Sequence, residues 1–373
     1  MSYAIGDVGT LAEIQEWARS NKVDTTTIEL MNQTNDILDH VPFRESNTMR
    51  GHETRLRTGL PEIYFRQLYR GTPISKSQYS RVVEGIGILE GRMELDVLEK
   101  QLYQSSFGAY RLSEGKAFME ALRQKAATLF FYGDHAKLAD EFDGFATRYC
   151  DLNNPHVIDA SEFTYGSGSE DEESDEGETG LTSMYLVAWG PDSVHGIFPK
   201  DSVGGLKHTD LGTYTTTDNE GRKLEVIADL WSWSLGLCVR DWRSVVRICN
   251  IKTKYLANTL TGTLANATSE SSKVSSTRED GWINLKDLTI IAKSKIPAGM
   301  RNRAVWYCNP QVLAGLEIQS SDTKNVHLHY GEYFGVQNVP AIHSRPVFEC
   351  ECITNNEERV TAGGSYPEKN SQQ

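Results

Sequence analysis

The sequence predicts an α+β protein: an N-terminal helical arm, a long extended β-hairpin, a domain built on one long helix, and a mixed α/β domain. Three observations predict it. Residues 43–94 alternate with a period of two between turn signals, residues 113–132 carry the strongest helical periodicity in the chain, and strand-like and helix-like segments interleave from about 142 to 334.

The arm, residues 1–43, reads as two short helices. Thr10-Leu11-Ala12-Glu13 has the spacing of a capping box, and Leu11, Ile14, Trp17 and Ala18 then mark one face. A second box, Thr26-Thr27-Ile28-Glu29, opens a helix expected to run to about Asp39, before Pro42. The Asn21–Asp24 break makes the arm articulated.

The hairpin, residues 44–84, is basic in an acidic chain. Between Phe43 and Val83 there are eight Lys/Arg against three Glu, while the formal net charge of all 373 residues is −13. Leu56 lies between Arg55 and Arg57, and Ile63 and Phe65 alternate with Tyr64 and Arg66, which predicts strand. Arg57-Thr58-Gly59-Leu60-Pro61 and Gly71-Thr72-Pro73 carry turn signals, and the chain returns through Val82, Ile86 and Ile88. Gly85, Gly87 and Gly91 predict bulges or a close backbone approach. Two isolated strands are marginal in water and their edges invite pairing, so the hairpin is expected to lie on another copy of the chain. Arg44, Arg50, Arg55, Arg57 and Arg66 would set register against the acidic neighbour. Leu56, Leu60, Ile63, Phe65 and Tyr69 would bury apolar surface, in a head-to-tail contact that closes into rings.

Next comes a helix with Ser113 as N-cap, Phe118, Leu122 and Leu129 on its apolar face, and Gly133 as its stop. A shorter helix from Asp96 to about Gln104 precedes it. Further on, TSMYLVAWG, KLEVIADLWSWSLGLCVR and RAVWYCN read as strands and NLKDLTIIAKSKI as a helix. Asn309-Pro310 opens another helix. The last folded segment reads as strand, and the tail 361–373 as frayed. Residues 165–180 stand apart: Glu170, Asp171, Glu172, Glu173, Asp175 and Glu176, with Glu178, put seven acidic residues in nine. Such a run self-repels and reads as a solvated loop, with a docking site for a basic partner as the sharper alternative.

Composition narrows the function. Hydrophobic content of 39% and charged content of 24% fit a folded soluble protein with a sizeable core. No apolar run approaches the roughly 18 residues of a membrane span, and no secretory signal is read at Met1. The six cysteines show no framework spacing and read as reduced thiols; the N-x-T triplets at Asn32 and Asn266 would matter only on a secreted chain. The acidic balance argues against coating DNA, though not against enclosing it. His327 and His329 would share a strand face, as would Cys350 and Cys352, yet neither pair gathers a metal's ligand set. Ser193 and His195 lack the nucleophile-elbow surround, and no dinucleotide or phosphate loop occurs. Trp231, Trp233 and Trp242 read as core and interface aromatics. No catalytic residues, cofactor or metal are expected.

The order of these elements resembles the major capsid proteins of tailed bacteriophages, whose fold is shared with encapsulin shells and the herpesvirus capsid floor. The phrases TNDILDHVPFRESN, GHETRLRTGLPEIYFRQLYRG, SKSQYSRVVEGIGILEG and RLSEGKAFMEAL carry the resemblance, with RAVWYCNPQVLAGL and YFGVQNVPAIHSRPVF more loosely. It implies an extended loop at 44–84, a peripheral domain from 85–142 and 336–360 with a spine helix, and an axial domain at 143–335. It further implies a non-enzymatic shell protein that forms hexamers and pentamers of an icosahedral head around double-stranded DNA, without sequence-specific binding. The head would reside in the virion after assembly in the host cytoplasm, with a separate scaffolding protein and a portal; a decoration protein is left open. The rivals are an encapsulin-like nanocompartment shell and a soluble α/β enzyme.

Overall fold

The fold is described from a computed structural model for residues 33–103, 106–165, 180–217, 221–254, 256, 282–321 and 328–363. Both boxes of the arm, the six named acidic residues of the 165–180 loop, His327 and the tail from 364 lie outside the described residues.

The chain divides into two compact units, and β4 (Gly87–Asp96), α3 (Phe107–Tyr132) and β10 (Lys223–Val239) are each divided between them. The larger unit is built on a seven-stranded sheet. Its order is β14 (Leu328–Tyr333), β15 (Val336–Ile342), β16 (Arg345–Glu349), β13 (Ala304–Cys308), β7 (Leu181–Ala188), β11 (Val245–Lys252) and β5 (Val157–Asp159). The central strands are buried along nearly their whole length because both faces are covered, and most of their side chains are apolar. Along β7, Tyr185 and Val187 enter one core with Phe130, Phe131 and Phe145, while Met184, Leu186 and Ala188 enter another. That alternation is the period of the pleat. Each fully buried large apolar side chain contributes about 1.5–3 kcal/mol.

The second core is closed by α5 (Leu285–Lys295) and α6 (Pro310–Ser321). Both start where the sequence places them: Asn284 accepts from the Asp287 N–H at 3.3 Å and Asn309 from the Gln311 N–H at 3.0 Å. The first core is closed by the second half of α3 and by α4 (Phe145–Arg148). Beside it, β8 (Val194–Phe198) pairs in parallel with β1 (Phe43–Glu45) and antiparallel with the end of β10. A two-stranded ladder joins β6 (Thr164–Tyr165) to β12 (Trp282–Ile283). The hairpin strands β2 (Gly51–Gly59) and β3 (Gln78–Gly85) form a sheet of their own.

The smaller unit takes residues 90–122 and 207–232. Here β9 (Lys207–Thr217) pairs with the first part of β10, and α2 (Val97–Tyr103) leads towards α3. Phe118 stacks on Trp231 with ring centroids 5.4 Å apart. Arg111 grips Asp229 through two hydrogen bonds of 2.6 Å, and His208 meets the same carboxylate at 2.8 Å. Burial works to raise the Asp229 pKa, but the Arg111 and His208 bonds prevail and hold it below the usual carboxylate range.

Three expectations are corrected. Helix α3 begins at Phe107, so Ser113 sits within the helix instead of capping it. Phe107 is buried and Arg111 is anchored, and those tertiary contacts carry the helix past a local cap signal. The helix ending near Asp39 is not continuous over residues 33–36; only Ile37–His40, α1, is helical. Asn35 bridges Cys350 and accepts from the Cys352 N–H at 3.0 Å, which ties it to the closing segment in place of a helical turn. Residues 43–94 are not one excursion: β1 lies in a core sheet, and the paired hairpin spans only Gly51–Gly85.

Candidate assembly surface

The root of the hairpin is fastened in several ways. Asn47 brackets the start of β2, donating to the Glu53 carbonyl at 2.7 Å and accepting from the Glu53 N–H at 2.8 Å. Thr48 Oγ1 donates to the Gly51 carbonyl at 2.6 Å. A Cβ on Gly51 would come within 2.3 Å of the Glu84 carbonyl oxygen, so only glycine lets the two strands meet there. The buried Glu84 carboxylate takes a two-pronged bond from Arg148, at 2.9 and 2.5 Å. Burial alone would lower the Arg148 pKa; the Glu84 bonds and charge outweigh it and raise it.

Above the root the ladder runs in register, with Arg55 opposite Arg81 and Arg57 opposite Tyr79. Arg57 donates to the Tyr79 hydroxyl at 2.9 Å and lies 5.3 Å from the ring centroid. Arg81 pairs with Glu53. Among the described residues, Arg44, Arg50, Arg55 and Arg66 form no ion pair.

The tip, residues 60–77, has no strand, so the alternation at Ile63 and Phe65 does not produce one there. Pro61 lacks an N–H to donate, and no strand among the described residues pairs with this segment. Leu60 is 81% exposed, Ile63 and Leu68 are each 89% exposed, and Phe65, Tyr69 and Ile74 are wholly exposed. Leu56, within β2, is half-buried.

The structure thus brings Arg50, Arg55, Leu56, Arg57, Leu60, Ile63, Phe65, Arg66 and Tyr69 onto one protruding limb, with Arg44 on β1. On α3, Leu122 and Leu129 are buried and Phe118 half-buried. The sequence reading missed Leu68 and Ile74, which lie outside the alternation, and the Glu84–Arg148 clamp, whose partners stand 64 residues apart. Chemistry finds no footing at Ser193, whose hydroxyl donates to the Ala188 carbonyl at 2.7 Å. His329 is exposed, and Cys350 and Cys352 are buried free thiols. No helix among the described residues is long and apolar enough to cross a membrane.

A well-packed body bearing an unpacked apolar limb is the form of a subunit made for a larger assembly. The sequence matches the family described as major capsid protein GP7 over residues 19–361, and the chain belongs to that family. It is a structural protein of the tailed-phage virion and not an enzyme, and its copies assemble into a capsid. The fold is similar to a chain of the bacteriophage epsilon15 structure, at 21% identity and a TM-score of 0.65, over 97% of this chain and 99% of that one. A weaker likeness, with a TM-score of 0.41 and 10% identity, reaches the SrpI encapsulin of Synechococcus elongatus PCC 7942, over 63% of this chain and 95% of that one. The capsid of Myoviridae phage XM1 gives 0.39 at 9% identity, over 61% and 96% of the two chains. No curated protein matches the sequence.

Proposed function

We propose that the Gly51–Gly85 hairpin clasps an adjacent copy of this chain, and that this contact closes hexamers and pentamers of an icosahedral head enclosing double-stranded DNA. The observation that carries the proposal is the set of exposed apolar side chains at the tip, Leu60, Ile63, Phe65, Leu68, Tyr69 and Ile74. Covering them releases water from apolar surface at about 25 cal/mol per Å². The bare arginines nearby favour an acidic neighbour, and the rest of the chain carries the negative excess. The acidic total supports a wall that holds the polymer without gripping its sequence. A scaffolding protein, a portal, a role for the 165–180 loop in docking a basic partner, and assembly in the host cytoplasm belong to the same proposal and rest on family membership and sequence alone.

The test is the double substitution Ile63→Asp with Phe65→Asp. Both side chains are exposed in the subunit, so circular dichroism and thermal unfolding should match the wild type. Shells should be absent by electron microscopy and sedimentation; normal shells from this variant would overturn the proposal.

A further inference from the structure

Where the hairpin meets the body, three strands from distant parts of the sequence bring two imidazoles and a thiol together. His52 comes from β2, His195 from β8 and Cys238 from β10. His195 and Cys238 stand directly opposite each other in the ladder, and the His52 ring meets His195 edge to face with centroids 5.8 Å apart. One ring nitrogen from each histidine and the Cys238 sulfur all lie within 4.8 Å of one another. His195 and Cys238 are almost wholly buried. His52 Nδ1 and His195 Nδ1 are buried atoms with no hydrogen-bond partner among the described residues. An unpartnered buried nitrogen costs about 1–3 kcal/mol, so two of them on the histidines of one cluster with a thiol need an explanation.

We propose that His52, His195 and Cys238 form a binding site for a borderline-soft divalent transition metal, with zinc as the natural occupant and water as the fourth ligand. Imidazole and thiolate are the donors that such an ion selects over calcium or magnesium. Around a tetrahedral zinc, with bonds of about 2.0–2.3 Å, ligand atoms lie about 3.5 Å apart. The proposal requires the three side chains to draw in from the present spacing to that value as the ion binds. Binding displaces the thiol proton to solvent and forms the metal–sulfur bond, so one proton is released per ion bound.

The surrounding charges suit neutral ligands. Burial, and then the Arg240 and Arg44 cations, hold His52 below its ordinary pKa. Burial, the neighbouring His52 and the same arginines depress His195 further, to about 4. Both rings are therefore deprotonated at neutral pH, the form that coordinates. The arginines repel a dication and the Cys238 thiolate offsets them, while the Glu84 carboxylate is already paired with Arg148; burial and then Glu84 hold the unbound thiol up at about 11, so the ion must displace its proton. Glu84 is the cross-strand partner of His52, so the carboxylate stands beside the site.

Two ligands belong to the body's sheet and one to the hairpin, so a bound ion would tie the root of the limb to the body. That consequence rests on the clasp reading; the site itself does not, and the two are tested apart. Purified full-length subunits, before assembly, are titrated with Co²⁺ alone. One equivalent should bind per chain with a thiolate-to-cobalt charge-transfer absorption, and one equivalent of Zn²⁺ should abolish it. Cys238→Ala should lose the band, and His52→Gln should weaken cobalt binding tenfold or more. No charge-transfer band in the wild type, or a band that survives Cys238→Ala, would overturn the site. If Cys238→Ala fails to fold, His52→Gln decides, because His52 is only half-buried: unchanged cobalt affinity there overturns it too. Shell yield with and without Zn²⁺ then reads the consequence separately.

Discussion

Arg247 and Arg55 show how one residue type is finished in two different ways. Arg247 on β11 is fully buried, and every arm of its guanidinium is taken. It donates to Ser183 at 3.1 Å, to the Ala146 and Tyr149 carbonyls at 3.1 and 2.9 Å, and to Glu357 at 2.9 Å. Burial opposes its charge, yet Tyr185 and Glu357 keep its pKa raised. Arg55 is exposed and forms no ion pair among the described residues. The aromatics divide alike: Phe130 and Phe131 are wholly buried, Phe65 wholly exposed. Around Arg247 the body satisfies its groups within one chain, whereas the tip of the limb leaves its apolar side chains uncovered; under the proposed clasp, stability should reside in the first and association in the second.

The strongest blow to that contrast, or its best support, is Glu357→Ala. It strands Arg247 and removes the acceptor of the Tyr132 hydroxyl, which sits 2.5 Å from Glu357. A buried pair broken from one side costs about 3–5 kcal/mol. Denaturant unfolding should show that loss, and a shift under about 1 kcal/mol would mean that the network does not hold the body.

A smaller effect is expected on acidification. His40 is buried against the rings of Phe334 and Phe348, with centroids 4.3 and 4.1 Å away, and lies 3.2 Å from the Tyr307 hydroxyl. Burial lowers its pKa below 6.5, and Asp39 only partly offsets this. The unfolded chain therefore binds the proton more readily than the folded one. The contribution is fully present above about pH 6.5 and is lost as pH falls towards the depressed folded value. Urea midpoints at pH 7.5 and 5.5 should differ, and His40→Gln should narrow the gap; an equal gap in both proteins would exclude this residue.

The least effect on folding belongs to the limb. Arg55→Glu with Arg57→Glu forfeits the stacking on Tyr79, worth about 1 kcal/mol or less at an exposed site. Assembly should nevertheless fail, and a variant that forms normal shells would remove charge from the account of the clasp.

Much of this architecture was legible because local signals carry it. Asn284 and Asn309 announced two helices, and the runs of β7, β10 and β13 announced strands. The limb announced itself by cations in an acidic chain. What stayed hidden depends on distant partners. Glu357 looked like one more charge in a closing segment until Arg247, 110 residues away, met it. The alternation of Ile63 and Phe65 was real but did not make a strand, because a ladder needs a second backbone.

The Glu84–Arg148 clamp has a kinetic consequence. A two-stranded ribbon on a loose joint would sweep a wide volume, and each docking event would have to freeze it. In the proposed clasp, a root fixed by this pair would present the limb already aimed, so less entropy would be lost at each closure and the encounter would select subunits arriving at the right tilt.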